Sequence, residues 1–124
     1  MTVRVMIWLL VLVGCDQPVL FGPPTEAACP SDSTLTYATF GQPFMESYCT
    51  RCHSSTLMGA ARMGAPLLHD FDTLPGITIF TAHIDETAAA GPAATNTAMP
   101  IGDPTPSLDE RKLLGEWLAC GCPP

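Results

Sequence analysis

The chain has 124 residues, with 12 acidic against 5 basic side chains and a formal charge of −7. That length suits one small domain. The acidic balance argues against a nucleic-acid partner, which is gripped by basic patches, and against electrostatic adhesion to anionic lipid.

Residues 1–14 read as an export signal. Arg4 supplies a positive start, and Val5 to Val13 is an unbroken apolar run of nine residues. A membrane-spanning helix needs about 20, but nine suits the core of a signal peptide. Leu12-Val13-Gly14-Cys15 has the form of a bacterial lipobox, which makes Cys15 the expected lipidation site. The plainer alternative is an ordinary secretory signal with Cys15 placed by accident. Without residues 1–14, four basic residues face 12 acidic ones, a formal charge of −8. The expected location is the periplasmic face of a bacterial membrane, held there by lipid on Cys15. A protein with a basic docking face is the natural partner.

Residues 15–36 are rich in Pro and Gly without a usable period and read as a tether, pinned to the fold near Cys29. The domain proper is expected over 37–124. Its first helix should start near Gln42, because Pro43 is tolerated only in a first turn. Phe44, Met45 and Tyr48 share one face.

That helix runs into Cys49-Thr50-Arg51-Cys52-His53, which reads C-x-x-C-H. This is the attachment signature of a c-type haem. Two thiols at this spacing reach the two vinyl groups on one porphyrin edge, and the next residue sets an imidazole under the iron. Cys49 and Cys52 are therefore the expected thioether positions and His53 the expected proximal ligand of one covalent haem c. Three other readings compete: a thioredoxin-like redox pair, half of a zinc site, and two structural cysteines beside a chance histidine. No strand precedes Cys49 as a thioredoxin-like pair requires. Remaining zinc ligands would have to come from His69, His83, Cys120 or Cys122 at irregular spacing. Covalent haem is attached outside the cytoplasm, so the export signal and the motif agree.

Ser54 to Leu68 is rich in small residues, with one helical turn expected, and small residues let backbone approach a flat porphyrin closely. Thr73 is a candidate cap for a helix with Pro75 in its first turn. Ile77, Phe80, Ile84 and Ala88 form a helical stripe, although the β-branched Ile77-Thr78-Ile79 allows a strand. Residues 89–106 are a long loop with four prolines and Met99. Loops of that length in so small a domain usually carry function. The last helix opens on the capping box Ser107-x-x-Glu110, presents Leu114, Trp117 and Leu118, and stops at Gly121.

Of six cysteines, Cys15 is assigned to lipid and Cys49 and Cys52 to haem. Cys29, Cys120 and Cys122 remain, so at most one disulfide forms within the chain. The expected pair is Cys29 with Cys120. Cys122 is the alternative partner for Cys29, and a Cys120–Cys122 bond is disfavoured by its tight ring.

The order of these features resembles the small class I monohaem cytochromes c, over roughly Tyr37 to Ala119. The likeness is nearest to exported bacterial domains whose last helix ends in a run such as Trp117-Leu118-Ala119-Cys120-Gly121. The resemblance implies an all-α fold of three to five helices around the haem. It implies that His53 binds iron through Nε2, and that Pro66 offers its carbonyl to the other ring nitrogen. Gly41 would sit where the first and last helices cross, against Leu114 and Trp117. An aromatic is expected four residues before the first haem cysteine, where this chain has Met45 beside Phe44. Met99, 46 residues after His53, matches the family's distal ligand. Its competitors are His69, His83, Met58, Met63 and an open position. Arg62 is a candidate for a propionate contact, although the ordinary reading of such a residue is a solvated surface arginine.

With both axial positions filled, the implied role is outer-sphere electron transfer between redox partner proteins, not enzyme catalysis. The alternatives are a ligand-binding or catalytic haem module with an open sixth site, and a fixed haem subunit of a larger oxidoreductase.

Overall fold

The computed structural model describes residues 21–124. The expected export signal over 1–14 and the lipidation site Cys15 lie outside the described residues. Those described form four α-helices and no strand: α1 (Gln42–Tyr48), α2 (Leu74–Thr78), α3 (Thr81–Ala88) and α4 (Leu108–Ala119). None is long and apolar enough to cross a membrane.

A wide turn of π type, Tyr37–Gly41, leads into α1 without a break. Thr36 opens it with a capping box, its hydroxyl accepting from the Thr39 N–H while the Thr39 side chain accepts from the Thr36 N–H. Pro43 sits in the first turn of α1, where its missing N–H costs nothing. Phe44 and Met45 are both buried, and the Phe44 ring packs between Phe40 and Tyr48 at 5.5 and 5.0 Å. The aromatic at this crossing is thus Phe44, with Met45 filling the position beside it.

The first and last helices cross at Gly41. A Cβ there would run into the Trp117 ring, so only glycine permits the approach. Trp117 and Leu114 are fully buried. The C-terminal tail folds back over this crossing: the Pro123 carbonyl accepts from the Tyr37 N–H at 2.6 Å and from Trp117 Nε1 at 3.4 Å. At the other end of α4 the Ser107/Glu110 capping box is formed, and Gly121 at φ +80° turns the chain out of the helix.

The apolar stripe Ile77–Ala88 is divided between two helices. Thr73 caps α2, as its sequence signal predicts, but the helix ends at Thr78, and α3 begins at Thr81. The Thr78 hydroxyl bonds back to the Pro75 carbonyl at 3.0 Å, and Ile79 is left largely exposed. Three residues of β-branched character disfavour continuing the helix here, yet the chain turns without forming a strand. Ile77, Ile84 and Ala88 still reach one core with Phe44, Met45, Phe71, Leu114, Trp117 and Cys122.

Residues 21–36 differ from the free tether expected of them. Thr25 is fully buried and donates from its N–H and its hydroxyl to the Asp85 carboxylate. Gly22 N–H reaches the Glu86 carbonyl at 2.7 Å, and Cys29 is joined by a disulfide to Cys120, with Cα atoms 4.7 Å apart. Low periodicity marks this segment as irregular, but irregular chain packs well when side chains such as Asp85 satisfy its backbone. Cys122 is a free, buried thiol.

Candidate functional site

The C-x-x-C-H motif begins as α1 ends. Cys49 and His53 are placed by backbone bonds, Cys49 N–H to Met45 O at 2.8 Å and His53 N–H to Cys49 O at 2.9 Å. Both Cys49 and Cys52 are free thiols. Burial pushes the Cys49 thiol up to about 12, the Arg51 and Arg111 charges pulling the other way. A thiol raised in this way is a poor nucleophile at neutral pH, which counts against a thioredoxin-like couple. Among the described residues no group of three or more His, Cys, Asp or Glu is placed to hold a metal ion, which counts against half a zinc site.

His53 is held on two sides. Its ring lies 4.7 Å from Phe71 and nearly parallel to it, 15° between planes, while Phe71 N–H donates to the His53 carbonyl at 2.9 Å. Nδ1 lies 3.1 Å from the His69 carbonyl. A carbonyl only accepts, so Nδ1 carries the proton and Nε2 keeps its lone pair free. Burial lowers the ring's pKa against the opposing pull of the His69 carbonyl, which favours the neutral imidazole that ligation requires.

The second-neighbour carbonyl expected from Pro66 is therefore supplied by His69. Pro66 O is taken by Arg62 Nη2 at 2.7 Å, and the turn from Pro66 to His69, closed by His69 N–H to Pro66 O at 3.3 Å, carries the later carbonyl to the imidazole.

Arg62 itself overturns both sequence readings, the solvated surface residue and the propionate contact. It is 3 % exposed, at the end of a 3₁₀ turn, Gly59–Arg62. Its guanidinium donates to the carbonyls of Ser54 (2.7 Å), Leu57 (3.5 Å), Ala65 (3.2 Å), Pro66 (2.7 Å) and His69 (3.3 Å). Asp70 Oδ1 lies 2.8 Å from Nη1 as a charge contact off the N–H axis, so that it accepts no aligned hydrogen bond. No donor is left for a further anion. Arg62 is the hub that folds the loop behind His53.

Met99 is half-buried against the core. Its N–H donates to Thr87 O at 2.9 Å, and its carbonyl accepts from Arg111 Nη1 at 2.9 Å. Arg111 is 4 % exposed and also holds Ala88 O at 2.7 Å and Asn96 O at 2.9 Å from the same nitrogen. Its register was legible: Arg111, Leu114 and Leu118 are spaced as one helix face, so a buried arginine was implied on the core side of α4. Just beyond Met99 the backbone is reached by Arg51, from inside the motif. The Met99 loop thus lies against the C-x-x-C-H turn.

Of the rival candidates, Met63 Sδ is 3.6 Å from Cys52 Sγ, and both Met63 and Met58 are exposed. His69 and His83 pack with Phe80, the His69 ring 3.9 Å from Phe80 and 5.9 Å from His83.

A haem c fits the residues present. Two free thiols and an imidazole with a free Nε2 stand at the required spacing. The loop after them leaves Met58, Met63, Leu67 and Leu68 between 69 and 81 % exposed, with Ile101 at 61 % on the distal loop. Met63 among them lies 3.6 Å from Cys52 Sγ, and a porphyrin face is an apolar surface of the right kind to cover such side chains. Compared with known proteins, the chain matches no family model, no curated protein and no solved structure.

Proposed function

We propose that this protein is an extracytoplasmic electron carrier holding one covalent haem c, with Cys49 and Cys52 as thioether positions and His53 and Met99 as axial ligands. The observation that carries the reading is the placing of His53, its Nδ1 on the His69 carbonyl and its ring stacked on Phe71, directly after two free thiols. Such a ligand is oriented before it binds. When bound, the haem supplies a one-electron Fe(III)/Fe(II) couple whose potential a Met thioether raises. The chain's own part is to fix both ligand loops and to exclude water. Arg62 anchors the loop behind His53, and Arg111 anchors Met99 to α4 and to the end of α3. The acidic surface suits a redox partner with a basic docking face, and Cys15 is the proposed lipid anchor at the periplasmic face of a bacterial membrane.

The test is denaturing electrophoresis with a haem stain, followed by a redox titration with visible spectra. Haem that stays with the boiled chain, a single one-electron wave and slow CO binding by the reduced protein are expected. Haem lost on boiling overturns covalent attachment. Fast CO binding by the unaltered reduced protein replaces the carrier by a ligand-binding haem module.

A further inference from the structure

We infer that Arg51, inside the C-x-x-C-H motif, is the latch that holds the Met99 loop closed, and so sets how long Met99 stays on the iron. This rests on the ligand reading proposed above. The Arg51 guanidinium donates to four successive carbonyls: Ile101 at 3.1 Å, Gly102 at 2.7 Å, Pro104 at 3.3 Å, and Asp103. These residues begin two positions after Met99. Among the described residues, no other hydrogen bond reaches 101–106. The loop's near side is fixed independently, by Met99 N–H on Thr87 O and by Arg111 on the Met99 carbonyl. Between Met99 and the buried Pro106, where α4's Ser107 cap takes over, the far side has only the Arg51 bonds.

Position and geometry explain why an arginine stands there. Arg51 lies between the two cysteines, so covalent attachment would hold its backbone rigid and give the guanidinium a fixed base. A planar fork with five donors can serve several carbonyls at once, whereas a lysine ammonium serves fewer from a flexible stem. The carbonyls of Gly102 to Pro104 belong to exposed residues and would otherwise bond only water. Release of the latch frees residues 101–104 beside Met99, and the population with an open sixth position rises.

The experiment uses the haem-loaded full chain as Arg51→Ala, Arg51→Lys and Met99→Ala, with haem content measured by pyridine haemochrome so that incomplete attachment is not mistaken for a ligand effect. The readout is the rate of CO binding to the reduced protein, with the midpoint potential alongside. Met99→Ala sets the ceiling for an open site. Arg51→Ala is expected to bind CO at least tenfold faster than the unaltered protein, with a potential far closer to it than to Met99→Ala. Arg51→Lys should fall between. If Arg51→Ala does not mature, Arg51→Lys and Arg51→Gln carry the comparison. A variant that is less stable to urea yet binds CO no faster overturns the latch, and leaves Met99 as ligand intact. If Met99→Ala itself binds CO no faster than the unaltered protein, the ligand assignment falls and the latch with it.

Discussion

Replacing Arg62 by methionine separates two pictures of one residue. A solvated surface arginine costs within about 0.5 kcal/mol when replaced. The buried hub has more to lose. Two of its bonds, to Ser54 O and Pro66 O, are 2.7 Å long, and the other three lie between 3.2 and 3.5 Å. Bonds to a charged group contribute about 1.5–3 kcal/mol each, so the two short ones alone suggest about 3–6 kcal/mol. Removing the guanidinium also leaves the buried Asp70 Oδ1, 2.8 Å from Nη1, without its opposite charge, which adds to the loss. Water entering the opened loop recovers part of the loss. The loop also holds Met63 and Leu68 in left-handed backbone, at φ 51° and 69°, conformations that a tight set of bonds must sustain. Arg62→Met should therefore lose about 3–5 kcal/mol, the range found on breaking buried charge contacts. Urea unfolding of the haem-loaded protein measures it, and Arg62→Lys should recover less than half. A loss below about 0.5 kcal/mol would mean that the guanidinium does not organise the loop, and the account of His53 would have to change with it.

Three further outcomes are expected. Gly41→Ala removes a helix glycine, which by itself should stabilise by about 0.5–1 kcal/mol, but the added methyl meets the Trp117 ring, an overpacking of about 1–3 kcal/mol, so a net loss of up to about 2 kcal/mol is expected in chemical denaturation. Opening the Cys29–Cys120 bond, which spans 91 residues, should cost about 2–4 kcal/mol, within a loop-entropy ceiling of about 4.6 kcal/mol; a paired Cys29→Ser, Cys120→Ser variant against the oxidised protein checks it by thermal unfolding. The Ser107 N–H, the Tyr48 hydroxyl and the Ser107 hydroxyl hold the Glu110 carboxyl below its ordinary range. Its contribution is complete above the unfolded carboxylate value of about 4.3 and is lost as pH falls through the lower folded value. Glu110→Gln should flatten the stability profile below about pH 4.3 and leave its slope near neutrality unchanged.

What the sequence made legible was local. The Ser107/Glu110 box, Gly121 and the Thr73 cap each act within a few residues, and each forms as written. Pro43 placed the start of α1 because a proline ring excludes the alternatives. The break between α2 and α3 was hidden, since Ile77, Ile84 and Ala88 keep helical spacing across it and all reach the core. Residues 21–36 looked like a tether because their partners, Asp85 and Glu86, lie some 60 residues on. Arg62 was hidden for the same reason in sharper form. Five carbonyls from Ser54 to His69 converge on it only once the loop has closed, and no spacing rule announces that. The exchange of Pro66 for His69 as partner of His53 follows directly, because Arg62 occupies the Pro66 carbonyl. Arg111 alone among the arginines carried a signal, its register with Leu114.

The three arginines of the described chain, Arg51, Arg62 and Arg111, all turn their guanidinium groups onto backbone carbonyls of the loops that bear the candidate ligands. On the proposed haem reading, a sixth position that must open to substrate gains nothing from being tied on both flanks, so the ties favour the carrier over the ligand-binding alternative. The described chain also carries 11 acidic residues against four basic ones, with Glu26, Asp32, Glu46, Asp103 and Asp109 on the surface. The field seen by a partner is then strongly negative. Raising salt should leave the midpoint potential nearly unchanged, because the ligand loops are held by short, local bonds. It should slow electron transfer with a basic partner, because steering is screened beyond about 8 Å at physiological ionic strength. Stopped-flow transfer to one basic and one neutral acceptor across a salt series tests this. Equal salt slopes for the two acceptors would remove the acidic surface from the docking argument and leave the loop geometry standing alone.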